Sequence, residues 1–258
     1  MKKFLFVSVS LLLLFSVGCA SVPVYSPGTD LSTEVQSWGF VRRESTRPEV
    51  DRRQAELLES YGGFYIDENE PKKLYLTFDE GYENGYTSKI LDTLQAKNVK
   101  AAFFVTGPYL EAQEALIKRM AAEGHIIGNH TVNHINMAAS SEDTVRNELN
   151  SLNSLCEDKY GITMHYLRPP EGVFSEKSLA VSQELGYKTI LWSFAYADWD
   201  INNQNGSDYA FSQVTPYLHN GAIILLHAVS QDNAEALGDI IDYARNCGYE
   251  FASLDELS

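Results

Sequence analysis

The sequence predicts a parallel α/β fold, and three observations carry that prediction. Seven apolar runs recur at 74–78, 101–105, 125–129, 165–168, 188–193, 222–227 and 249–252, with amphipathic stretches between them. Strand and helix patterns that alternate one for one imply crossover connections, and hence parallel strands. Polar and ionisable residues that a core does not want sit at the ends of five of the runs. In parallel β/α folds that edge, the carboxyl ends of the strands, is where ligands bind. Such a sheet is either open and doubly wound or closed into a barrel. No G-x-G-x-x-G follows the first strand, which disfavours a dinucleotide site.

The elements follow in chain order. Residues 1–20 carry two lysines, an apolar run from Phe4 to Val17 and small residues at Gly18-Cys19-Ala20. That is an export signal, followed either by cleavage or by lipidation of Cys19; an uncleaved anchor is a third outcome. Residues 21–60 are polar and interrupted by Pro23, Pro27 and Pro48, which predicts a flexible linker with a short helix near Arg52 to Glu59. Gly62-Gly63 opens the main domain, residues 61–258. In 87–97, Ile90, Leu91 and Leu94 fall on one helical face; in 108–122, Leu110, Leu116, Ile117 and Met120 do the same. Segments 142–158, 175–186 and 232–246 repeat the pattern, and 208–218 repeats it more weakly. Cys156 and Cys247 fall on different predicted helices, and their pairing is left open.

The formal charge is −15, and −17 once the two signal lysines are gone. No cluster of Lys and Arg offers a nucleic-acid backbone a surface, so nucleic acid is excluded as a partner. Membrane contact is confined to the N-terminal anchor.

The strand ends supply candidate chemistry. Asp79 and Glu80 close the first run, and adjacent carboxylates repel unless a cation or a proton relieves them. His130 and His134 follow the third run at i, i+4 spacing, which on a helical turn points both imidazoles one way. With Glu80 or Asp79 they make a two-His, one-carboxylate metal set with positions left open. The other acid can then act as base. Arg168, stiffened by Pro169 and Pro170, can pair with a catalytic carboxylate and lower its pKa. His227 ends the sixth run as a candidate general acid, Asp198 can orient it, and Trp199 can wall a pocket.

These motifs, in this order, resemble the NodB-homology polysaccharide deacetylases: Thr77-Phe78-Asp79-Glu80-Gly81, His130-Thr131-Val132-Asn133-His134, Arg168-Pro169-Pro170, Asp198-Trp199 and Leu225-Leu226-His227. Longer stretches, "FDEGYENGYTSKILD", "LRPPEGVFSE" and "HAVSQDNAEAL" among them, are similar to the peptidoglycan deacetylases of spore-forming bacteria that act on N-acetylmuramic acid on the way to muramic δ-lactam. The resemblance implies a distorted (β/α) barrel of about seven parallel strands, a divalent metal (usually zinc), and export to the cell wall or the outer face of the membrane, where the glycan strand is the partner. By position it implies Asp79 as base, held by Arg168. It implies His130, His134 and Glu80 as metal ligands, His227 as acid supported by Asp198, and the Glu171 backbone N–H as oxyanion donor. Two positions depart from the pattern. Glu80 stands where the family has Asp and this branch often Asn. Glu171 stands where the branch usually has Arg, and its charge repels a lactyl carboxylate. The same chemistry on N-acetylglucosamine, chitin-type oligomers or O-acetylated xylan is the alternative. A non-catalytic glycan-binding wall protein and an unrelated metal-binding barrel are the other readings.

Overall fold

The computed structural model describes residues 31–69 and 72–257; the expected export signal, Cys19 included, lies outside them. The chain begins with short pairing segments, β1 (Gln36–Ser37), β2 (Phe40–Val41) and β3 (Glu49–Val50), then helix α1 (Arg52–Ser60). Strand and helix then alternate: β4 (Lys73–Glu80), α2 (Thr87–Ala96), β5 (Ala102–Val105), α3 (Gly107–Ala112), α4 (Glu114–Ala122), β6 (Ile126–Asn129), α5 (Glu142–Tyr160) and β7 (Tyr166–Leu167). After β8 (Val173–Phe174) come α6 (Glu176–Glu184), β9 (Lys188–Thr189), α7 (Ser207–Val214), β10 (Ala222–His227), α8 (Gln231–Asn246) and β11 (Glu250–Ala252).

Seven strands form one sheet in the order β10-β4-β5-β6-β7-β9, with β11 also on β4, and every pairing is parallel. Past β9 the chain swings back: Phe194 bridges Ile224 of β10 in parallel, so the sheet curls toward its own first edge. This is a distorted barrel, and all seven apolar runs are in it. The strands at 166–167 and 188–189 are shorter than their runs. Pro169 and Pro170 come one residue after the first of these, and proline cannot donate to a ladder. The helix expected over 108–122 breaks at Gln113, whose backbone is non-helical, into α3 and α4.

The pleat of β4 divides the core. Leu74, Leu76 and Phe78 face the helices with Ile90, Leu91, Ile240 and Ile241. Tyr75 faces the concave side with Phe104, Ile223 and Leu225. Helix starts are fixed by side chains legible in the sequence: Ser141, Ser175 and Ser230 each accept from a backbone N–H of the first turn. Residues 31–60, expected as a linker, are docked on the domain through the β1–β8 pairing and through Leu58, which is fully buried. Cys156 is buried and Cys247 exposed, and both are free thiols. Among the described residues no helix is long and apolar enough to cross a membrane.

Candidate active site

The carboxyl ends of β4, β6, β7 and β10 converge on a cavity of about 660 Å³. Asp79, His130, His134, Glu171, Trp199 and His227 line it, with Tyr82, Trp192 and Tyr196 as further aromatic walls. Register explains part of the convergence: His227 is the cross-strand partner of Asp79.

Asp79 faces the concave side, 8% exposed. Arg168, fully buried, donates to Asp79 Oδ1 at 2.8 Å, to Thr77 Oγ1 at 2.9 Å and to the Ile190 carbonyl at 3.1 Å. Its guanidinium lies 4.3 Å from the centre of the Phe104 ring. Gly128 makes room for that ring, since a Cβ there would stand 2.5 Å from it. Burial alone pushes the Asp79 carboxyl up. The Arg168 guanidinium, with His130 and His227, outweighs burial and holds it below the usual carboxylate range. Asp79 is therefore a buried, ionised carboxylate.

The two histidines come from a loop, not from the helical turn that their spacing suggested. Asn129 Oδ1 accepts from the Thr131 amide at 2.9 Å, and Thr131 and His134 take positive φ, 64° and 53°. The rings end 4.9 Å apart at their centroids. His130 Nδ1–H donates to the Arg168 carbonyl at 2.8 Å, which fixes the tautomer and leaves Nε2 as the lone-pair nitrogen, 3.7 Å from Asp79 Oδ2. Burial lowers its pKa to about 4, so the imidazole is neutral.

Glu80, expected as a metal ligand, does not join them. Strand alternation sends it to the helix-facing side of β4, together with Phe78. Its Oε1 accepts from Thr87 Oγ1 at 3.5 Å, Oε2 is buried with no partner among the described residues, and Glu80 does not line the cavity. Burial, with Glu83 and Asp79 nearby, pushes its pKa well above the usual range.

The donor set still suits a divalent metal. Two imidazoles, that of His130 neutral by burial and oriented by its bond to the Arg168 carbonyl, face the cavity beside an ionised carboxylate. Among the described residues no three His, Cys, Asp or Glu side chains are grouped so as to hold a metal ion by themselves, so what the site offers one is the two imidazoles with Asp79 beside them.

Across the cavity, His227 Nδ1–H donates to Asp198 Oδ1 at 2.7 Å, and the His227 amide donates to Oδ2 at 2.8 Å. Asn233 Nδ2 donates to Asp198 Oδ2 at 2.6 Å, and Tyr196 O–H donates to Asn233 Oδ1. Burial pulls the His227 pKa down, but the Asp198 charge and hydrogen bond outweigh it and raise it above 6.5. Trp199 stands at the rim, 58% exposed, its ring 5.9 Å from that of His227. Asn233 and Tyr196 were not singled out from sequence, and Thr77 was named in its motif without a role. The one signal for Asn233 was its place three residues after the Ser230 cap.

The family model described as polysaccharide deacetylase matches residues 67–190. The chain is 45% identical over 250 residues to the peptidoglycan-N-acetylmuramic acid deacetylase PdaA of Bacillus subtilis, covering 94% of each chain. It is 32% identical over 204 residues to a peptidoglycan-N-acetylglucosamine deacetylase of Bacillus cereus, covering 78% of this chain and 73% of that one. The solved structure of Bacillus subtilis PdaA, a family 4 carbohydrate esterase, superposes with a TM-score of 0.85 at 46% identity, over 88% of this chain and 98% of that one.

Proposed function

The chain belongs to the polysaccharide deacetylase family, and from that premise we propose that it hydrolyses the N-acetyl group of a peptidoglycan sugar, N-acetylmuramic acid foremost. One observation carries the reading: an ionised buried carboxylate, a pair of imidazoles and a carboxylate-supported histidine face one another across a single cavity.

Deacetylases of this family are metalloenzymes. A divalent metal, zinc in this proposal, held by His130 and His134 beside Asp79, would supply Lewis acidity to the acetamide carbonyl and to water. Asp79 takes the proton of the attacking water. Arg168 keeps that carboxylate ionised and fixed in orientation. The Glu171 amide donates to the developing oxyanion from a loop that lines the cavity. His227, protonated and oriented by Asp198, gives its proton to the departing amine nitrogen. Trp199, Tyr82 and Tyr196 offer apolar faces to the sugar. The likeness to wall deacetylases supports export, with residues 1–20 as the signal.

A second reading, N-acetylglucosamine as substrate, is favoured by one feature. Glu171 and Asp79 line the cavity and no Lys or Arg among the described residues does, so a muramic lactyl carboxylate meets negative charge. Acetate release from glycan strands, read by mass spectrometry, separates the two. Loss of acetyl from muramic acid supports the first, and loss only from glucosamine the second. No release from either contradicts both.

A further inference from the structure

The turn that carries Glu171 is braced from the far end of the chain. Glu171 holds φ +57° and Gly172 φ +66°, so two consecutive residues are left-handed. The Val173 N–H donates back to the Pro170 carbonyl, which closes a turn of type I′ geometry. A left-handed glutamate costs free energy and persists only where its surroundings over-determine it. Here much of that determination comes from residues 36–38. Gln36 and Ser37 pair antiparallel with Phe174 and Val173. The Trp38 amide donates to the Gly172 carbonyl at 3.0 Å. The Trp38 indole N–H donates to the Trp192 carbonyl at 2.8 Å, and Trp192 is a wall of the cavity. Gly172 is closed in from both sides: a Cβ there would stand 2.8 Å from the Trp192 ring and 3.1 Å from Trp38 Cβ. Of residues 31–50 only Trp38 is buried, at 6% exposure. A segment of surface chain thus delivers one amide to the Gly172 carbonyl of this turn and one large side chain that packs beside Gly172 and bonds the Trp192 carbonyl next to it.

We propose that Trp38 is a positioning residue for the deacetylation: it fixes the Glu171 amide against the cavity, and residues 36–38 form part of the active-site scaffold. This rests on the deacetylase reading, in which that amide meets the oxyanion. Oxyanion stabilisation is felt in the transition state and not in ground-state sugar binding, so loosening the turn lowers kcat and spares KM.

The test uses the metal-loaded chain with Trp38→Ala and Trp38→Phe. Phe keeps an aromatic ring and the backbone pairing but removes the indole N–H. Trp38→Ala is expected to lower kcat about 10- to 100-fold with KM held within about twofold, the scale of a misplaced oxyanion donor. Trp38→Phe is expected to lower kcat about 3- to 10-fold. Binding of a tetrahedral phosphonamidate mimic should weaken by the same factor as kcat, while binding of deacetylated glycan is kept. Hydrogen exchange of the peptide covering 167–175 should speed up in both variants; it reads the brace without turnover. If Trp38→Ala does not fold, Trp38→Phe carries the test. Unchanged exchange over 167–175 overturns the proposal, and so does a raised KM with kcat retained. If the unsubstituted chain releases no acetate, the deacetylase reading fails, and hydrogen exchange alone still decides whether the brace exists.

Discussion

Asp79 and Glu80 are consecutive carboxylates at the end of β4, and the pleat sends them to opposite faces. Asp79 reaches the concave side, where Arg168 meets it at 2.8 Å and keeps it ionised. Glu80 enters the helix-facing core, where burial and the neighbouring acids favour its neutral form. Both are nearly out of solvent, so burial alone does not separate them. The difference is the partner: a buried charge holds only where an opposite charge and hydrogen bonds compensate its desolvation. Two like residues side by side therefore become an ionised carboxylate, the base of the proposed reaction, and a buried acid whose neutral form is favoured.

The most severe way to break this contrast is Asp79→Asn. Turnover should fall by about 10³-fold or more, the scale of a lost general base, with the far-UV circular dichroism unchanged. Arg168→Gln comes next. It leaves Asp79 buried without its cation, and should cost about 3–5 kcal/mol in urea unfolding. It should also move the acid limb of kcat/KM to higher pH, because the influence that lowers the Asp79 pKa is gone.

A smaller effect sharpens the opposite wall of the cavity. His227 must be protonated to act as acid, and its pKa is raised above 6.5, so kcat/KM should fall as pH rises through that raised value. In Asp198→Asn the raising charge is removed, and the alkaline limb should move down in pH along with a lower kcat. An alkaline limb that stays in place would remove His227 from the acid role. The smallest effect belongs to Glu80→Gln. A folded pKa above 4.5 means that the stability tied to neutral Glu80 is present below about pH 4.5 and is lost as pH rises through the folded value. Gln has no such loss. The melting temperature of the variant should exceed that of the unsubstituted chain at pH 8, and the gap should close toward pH 4.5.

Much of this was legible. The seven runs, their parallel order and the clustering of Asp79, His130, Arg168, Asp198 and His227 at strand ends follow from periodicity and from the rule that ligands meet carboxyl ends. The face of Glu80 was legible too. Leu74, Leu76 and Phe78 mark a core face, and alternation puts residue 80 on it, but the motif's usual role for that position spoke louder than the pleat. The His130–His134 spacing pointed to two imidazoles brought together, and they are, but from a loop: an Asx turn and two positive φ values do what a helix was expected to do. Trp38 and Asn233 were not legible. Each acts through a hydrogen bond to a residue more than thirty positions away, and such pairings leave no local period.

The direct test is acetate release by Asp79→Asn and Glu80→Gln measured side by side on the same glycan strands with the same metal. The account predicts that Glu80→Gln stays within about threefold of the unsubstituted chain, as expected of a residue outside the site, while Asp79→Asn is silent. Loss of turnover and of metal affinity in Glu80→Gln, with substantial activity left in Asp79→Asn, would exchange the roles of the two carboxylates and contradict it.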